Sequence, residues 1–276
     1  MQECNGGSCS SCEQNGNCSA RTNKVPAHEL SHIKNVIAVM SGKGGVGKSF
    51  VTSSLAVAMA KRGKKVGILD ADITGPSIPT AFGLHTQAYN DDNGILPVAS
   101  KGGIKVISLN LLMPNETDPV IWRGPVIAGV VKQFWADVIW GELDYLFVDM
   151  PPGTGDVPLT VFQSLPVNGI VMITSPQDLV RKIVAKAVNM AKLMRVPLLG
   201  LVENYSYFAC PDCGGRHEIF GPSTLDRVAE EFSIPVLGRI PVDPSFASHC
   251  DRGEIEDVSP NHLEAVAALL DSDEAK

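Results

Sequence analysis

The densest chemistry in the sequence lies in Gly42-Lys43-Gly44-Gly45-Val46-Gly47-Lys48-Ser49, which fits the phosphate-binding pattern G-x-x-x-x-G-K-[ST]. Glycines there let backbone N–H groups converge on phosphate oxygens that a side chain would hold off. Lys48 is placed to neutralise the β- and γ-phosphates of a nucleoside triphosphate, and Ser49 to hold Mg2+. Asp149 closes the apolar run Leu146-Phe147-Val148, the position from which an acid binds Mg2+ through water. The next residues, Pro151-Pro152-Gly153-Thr154-Gly155-Asp156, form a rigid, glycine-broken loop suited to a switch that senses the γ-phosphate. Asp70 and Asp72 close another apolar run ahead of Gly75-Pro76, where acids serve either the phosphate site or plain turn capping.

Cysteine supplies a second chemistry. Cys210-Pro211-Asp212-Cys213 puts two soft thiolates on a tight turn, and two cannot complete a tetrahedral metal or cluster site. Either His217 and another residue complete a zinc site, or a second subunit contributes its own pair. Cys4, Cys9, Cys12 and Cys18 form C-x4-C-x2-C-x5-C, enough thiolates to close around one iron–sulfur cluster or one Zn2+. Cys250 has no partner at ligand spacing and reads as a buried thiol. Residues 1–30 hold no apolar stretch of the signal-peptide kind, and no apolar run nears the roughly 18 residues that span a bilayer. The expectation is a soluble, cytoplasmic protein whose cysteines ligate metal rather than pair as disulfides. A net charge of −7 with dispersed basic residues argues against nucleic-acid or membrane partners.

These residues need elements to hold them. Residues 1–30 are polar and lack apolar periodicity, so they are expected to form a flexible, Cys-rich metal- or cluster-binding tail. From residue 31 to 276, strand and helix signals alternate. Strands are expected over 35–40, 65–69, 104–109, 145–148, 169–174, 198–202 and 236–240. Helices are expected over 48–61 (stopped by Gly63), 126–139, 179–194, 223–232 with a Ser223 N-cap, and after Pro260. The fold class is α/β: a doubly wound, mainly parallel sheet with helices on both faces, whose ligands sit at the carboxyl ends of the strands.

With two lysines in the loop, Lys43 as well as Lys48, the motif resembles the deviant Walker A signature of the MinD, ParA, nitrogenase-iron-protein and arsenite-ATPase class. Over Asn35 to the end, Lys43–Ser49, Asp70–Pro79, Asp149–Asp156, Val202–Phe208 and Cys210–Cys213 together resemble the Mrp/ApbC family of iron–sulfur cluster carriers. The class resemblance implies that Lys43 reaches a partner subunit's nucleotide, that Asp72 orients the attacking water, that Asp70 supports the magnesium region, and that Asn204 reads the adenine edge. An amide that donates and accepts suits adenine, although Asn204 also fits a turn or a cap. The family resemblance implies a dimer-dependent, slow ATPase in which Cys210 and Cys213 of two subunits bridge one [4Fe–4S] cluster. It also implies cluster transfer to apo iron–sulfur proteins. The last three N-terminal cysteines resemble the ferredoxin-like motif of the eukaryotic cytosolic branch of this family. Cys4 departs from that pattern, in which the first cysteine lies further upstream. Two other functions belong to the same class. A positioning ATPase needs a basic face or a membrane-targeting helix, which the acidic end Asp271–Lys276 does not offer. An electron donor of the nitrogenase-iron-protein kind uses two well-separated cysteines rather than a tight pair.

Overall fold

The computed structural model describes residues 24–73, 75–113, 124–176 and 180–273. Twelve strands and eight α-helices run in the order β1 (32–41), α1 (48–61), β2 (66–70), α2 (78–81), β3 (89–91), β4 (94–96), β5 (98–99), β6 (105–107), α3 (124–136), β7 (142–149), α4 (156–164), β8 (169–174), α5 (180–194), β9 (198–203), β10 (208–209), β11 (216–217), α6 (225–232), β12 (236–239), α7 (244–251) and α8 (264–273) among the described residues. Eight strands form one sheet in the order β12-β9-β8-β1-β7-β2-β6-β5. All neighbours in it are parallel except β5, which runs against β6. The expected doubly wound sheet is what the chain forms.

The period of two in β1 divides the core. Val36, Ala38 and Met40 face a layer built by α3, α4, α5 and α6, whereas Ile37 and Val39 face one built by α1, α2 and α8. Burying each such aliphatic side chain contributes on the order of 1.5–3 kcal/mol. A strand covered on both faces becomes a continuous apolar run, which is why the central strands were legible. Helix α1 sits so deep that Val51 to Met59 are all buried, including Ser53 and Ser54.

Residues 24–30, read from sequence as the end of the tail, lie along this core. Lys24 Nζ donates to the Phe162 and Leu165 carbonyls at the end of α4, at 2.8 and 2.6 Å. The Val25 N–H donates to Ser164 O at 2.8 Å, and Trp135 Nε1 donates to Val25 O at 2.8 Å. Val25 and Ala27 pack against the α3–α4 layer. Their apolar side chains are too few and too irregular to show a period, and a docked single strand of backbone leaves no sequence pattern.

Three helices depart from the sequence expectation. In α4, Pro158 and the β-branched Val157, Thr160 and Val161 depress intrinsic propensity, and burial of Val157, Val161 and Phe162 overrides it. The expected helix 126–139 begins at Gly124 and stops at Ala136, because Asp137 and Ile139 exchange backbone hydrogen bonds with Ile95 instead. The expected Ser223 cap is displaced by one residue: α6 starts at Leu225, and the Ser223 hydroxyl accepts the Leu225 N–H at 3.1 Å.

Candidate functional site

The phosphate loop leaves the carboxyl end of β1 and opens α1 at Lys48. Gly47 holds φ 78°, the left-handed region, and a Cβ there would lie 2.2 Å from Asn204 Nδ2. Glycine is required twice over, by conformation and by space. Lys48 Nζ lies 2.7 Å from Asp149 Oδ2 and 3.5 Å from Asp72 Oδ2. Burial works against the ammonium, but Asp149, helped by Asp72 and Asp70, outweighs it and holds the Lys48 pKa above its ordinary value. Lys48 is therefore a charged lysine inside the protein, the form that phosphate binding requires.

Asp149, fully buried at the end of β7, accepts from the Ser49 hydroxyl at 2.6 Å and, on its other oxygen, from Thr52 Oγ1 at 2.6 Å. Ser49 Oγ and a carboxylate so close together are the hard oxygen donors that Mg2+ prefers, so the residues fit that ion. Thr52 was not singled out from sequence. Its signal is its position on α1, one turn beyond Ser49 and on the same helix face. The two acids after β2 divide. Asp72 lines a cavity of ≈ 470 Å³ with Lys43, Gly45, Lys48 and Ser49. Asp70 lies behind it, buried, accepting from Ser108 Oγ at 3.0 Å and from the Asp72 N–H at 3.1 Å. Burial, then the neighbouring Asp149 carboxylate, pushes its pKa up to about 8.

Lys43 stands exposed on the rim shared by this cavity and a second of ≈ 430 Å³ lined by Gly153, Thr154, Lys182 and Lys186. Asn204, at the end of β9, is buried, and its amide is bound within the protein. Nδ2 donates to Val46 O at 3.0 Å, and Oδ1 accepts the Tyr205 N–H at 3.0 Å. Beside it is a narrow cavity of ≈ 120 Å³ walled by Phe50, stacked on Phe246 at 5.2 Å between ring centroids. Phe246 belongs to α7, which the sequence reading omitted. Its signal was Asp243-Pro244, an N-cap whose carboxylate accepts the Ser245 N–H at 2.8 Å, followed by proline in the first turn. Cys250 on the same helix is half-buried rather than buried and lines both the phosphate cavity and this slot. Burial, with Asp251 beside it, pushes its thiol pKa up, which makes it a poor thiolate.

Cys210 and Cys213 lie on the turn of the β10–β11 hairpin. The Cys210 N–H donates to Gly215 O and the Gly214 N–H to Cys210 O, both at 2.9 Å, which closes the turn. Cys213 is exposed and Cys210 half-buried. The backbone N–H groups of Cys213 and then Asp212, with the Cys213 thiol, hold the Cys210 thiol below its usual pKa. That favours the thiolate, the metal-binding form. His217 is exposed on β11, and among the described residues no three His, Cys, Asp or Glu side chains converge to hold a metal ion. Cys4, Cys9, Cys12 and Cys18 lie outside the described residues.

A glycine loop opening a helix, a buried lysine on a strand-end acid and a hydroxyl beside that acid define a P-loop nucleotide-binding protein, with a cysteine pair on the hairpin that follows β9. The family model described as ParA, NUBPL iron-transfer P-loop NTPase, matches residues 32–272, and the chain belongs to that family. An iron-sulfur cluster carrier protein of Methanocaldococcus jannaschii is 44% identical over 92% of this chain and 90% of its own length. The cytosolic Fe-S cluster assembly factor CFD1 of Saccharomyces cerevisiae is 45% identical over 80% of this chain and 78% of its own. A nucleotide-binding protein of Archaeoglobus fulgidus, solved with ADP, superposes with a TM-score of 0.76 at 46% identity, covering 84% of this chain and 91% of that one. The resemblance to the Mrp/ApbC carriers is thereby borne out at the level of family.

Proposed function

We propose that this protein is an ATP-dependent iron–sulfur cluster carrier, holding a [4Fe–4S] cluster between two copies of itself and passing it to apo iron–sulfur proteins. One observation carries the reading: Cys210, half-buried, and Cys213, exposed, stand on one hairpin turn with no third ligand gathered beside them among the described residues. Two subunits supply the four thiolates that a cluster needs. Similarity to proteins named as carriers over nearly the whole chain supports the cargo. A cluster on an exposed turn is open to exchange with an acceptor's thiolates. The thiolates that surround it demand a reducing compartment, so the cytoplasm is the proposed location. No described helix is long and apolar enough to cross a membrane.

The nucleotide chemistry follows from the loop. The triphosphate lies along the N–H groups of residues 42–49, Lys48 exchanges Asp149 for the β/γ-phosphate oxygens, and the base enters the Phe50–Phe246 slot beside Asn204. Ser49 and Asp149 would hold Mg2+, which would supply positive charge against the phosphates. Asp72, exposed to the cavity, accepts a hydrogen bond from the attacking water and aims it at the γ-phosphorus. Lys43 of each copy reaches the other's nucleotide, bringing positive charge where negative charge grows, so hydrolysis waits for the closed dimer and is slow. Cys4, Cys9, Cys12 and Cys18 hold a second cluster in the tail.

Transfer tests the function. Cluster-loaded protein mixed anaerobically with an apo-ferredoxin should restore the ferredoxin's absorption. Cys210→Ser and Cys213→Ser should each abolish transfer while ADP still binds, because the phosphate loop is built from other residues. Undiminished transfer by both variants overturns the assignment.

A further inference from the structure

Between the phosphate loop and the cysteine hairpin lies a buried group that neither site uses. Glu203, the last residue of β9, is 0% exposed. Its two carboxylate oxygens accept from Ser206 Oγ and Ser223 Oγ, each at 2.6 Å, and Arg239 Nε lies 3.8 Å away. Those two serines stand on either side of the hairpin that carries Cys210 and Cys213, one just before β10 and the other after β11. The carboxylate therefore pins both ends of that excursion at one point. A carboxylate without water needs such donors, so the clasp is strong in place and costly to loosen by one member alone.

The next residue, Asn204, is bound to the other site through Val46 O, and its amide lies against Gly47. Between Asn204 and Ser206, Tyr205 takes φ 59°, a left-handed conformation that a non-glycine residue holds only under constraint. Its hydroxyl also lies beside Gly47, 3.5 Å from where a Cβ would stand. The backbone around the turn is fixed as well, by Asn204 N–H to Thr174 O and Ser206 N–H to Ile240 O, both at 2.9 Å. Four consecutive residues thus join Val46–Gly47 to the base of the cysteine hairpin with no flexible link between them.

We propose that Glu203 is a positioning residue that transmits nucleotide occupancy at the phosphate loop to the cysteine hairpin. Phosphates that draw in the Val46 and Gly47 backbone move the partner of Asn204, and the strained turn passes the shift to a hairpin clamped at both ends by the Glu203 carboxylate. The inference rests on the carrier reading for its purpose, but its test needs no iron. In cluster-free full-length protein, the rate at which iodoacetamide alkylates Cys210 and Cys213 is followed by mass spectrometry with and without Mg·ADP. Wild-type protein should change its rate by about fivefold or more on binding ADP, as a typical coupling free energy requires. Glu203→Gln should bind ADP within about twofold of wild type and lose that response, because the charge that draws in both serines is gone and one serine must turn from donor to acceptor. Ser223→Ala, which keeps the carboxylate and frees one end of the hairpin, carries the same expectation should Glu203→Gln fail to fold. An unresponsive wild type, a response retained in the folded variants, or loss of ADP binding with Glu203→Gln overturns the proposal. Iron binding by Cys210 and Cys213 is measured separately, so failure of the carrier reading is distinguishable from failure of the coupling.

Discussion

Lys43 and Lys48 share one loop and differ in surroundings, and the difference sets their mutants apart. Lys48 is buried against Asp149 and Asp72, whereas Lys43 is exposed on the rim. Lys48→Ala should lower ADP affinity by about 10- to 100-fold in titration calorimetry, the loss of one charge-assisted hydrogen bond. It also strands the buried Asp149 carboxylate, and a broken buried pair costs about 3–5 kcal/mol of stability. Lys43→Ala should leave ADP affinity nearly unchanged and lower ATP hydrolysis by about 100-fold or more, the scale of a positive charge supplied in trans. Equal loss of binding in both variants contradicts the trans role. At this scale much was legible, since glycine spacing, a hydroxyl after lysine and an acid after an apolar run are local patterns. Thr52, Phe246 and Glu203 were passed over, because each acts on a residue about 20 to 200 positions away, and no local pattern in the chain names that partner.

Two predictions belong to the elements. Asp144, in β7, accepts Lys34 Nζ of β1 at 2.7 Å and the Lys65 N–H ahead of β2 at 2.7 Å. The Lys34 bond first, then the Lys65 N–H, lowers its pKa below the usual carboxylate value. A depressed folded-state pKa adds stability that is present above an ordinary Asp pKa of about 3.9 and is lost as pH falls through the folded value. Asp144→Asn should therefore lower the melting temperature at pH 7, and the deficit should shrink below about pH 4. A deficit independent of pH assigns the effect to packing instead. Deleting residues 1–23 should leave a single cooperative unfolding transition, whereas deleting residues 1–31 should lower its midpoint, because Val25 and Ala27 and the Trp135–Val25 bond go with it. Equal midpoints would show that residues 24–31 contribute nothing. The strands with both faces buried were legible as apolar runs. α4 and α7 were hidden, the first by proline and β-branched residues that tertiary burial overrides, the second because none of its residues is fully buried and it carries no apolar stripe.

Across the whole molecule, the carboxyl ends of β1, β2, β7 and β9 meet along one edge of the sheet, bringing the phosphate loop, Asp72, Asp149 and Asn204 together. The cysteine hairpin departs from the same edge. That convergence was legible, because alternating strand and helix signals with short connections leave few topologies open. The proposed second subunit is different, since a site shared between two copies would leave only half its pattern in one chain. The measurement that tests it is native mass spectrometry of protein reconstituted anaerobically with iron and sulfide, with Cys4, Cys9, Cys12 and Cys18 changed to serine to leave only the hairpin site. The account predicts a dimer carrying about four irons and four sulfides, reverting to monomer with Cys210→Ser or Cys213→Ser. A monomer carrying one zinc, lost with His217→Ala, would contradict it.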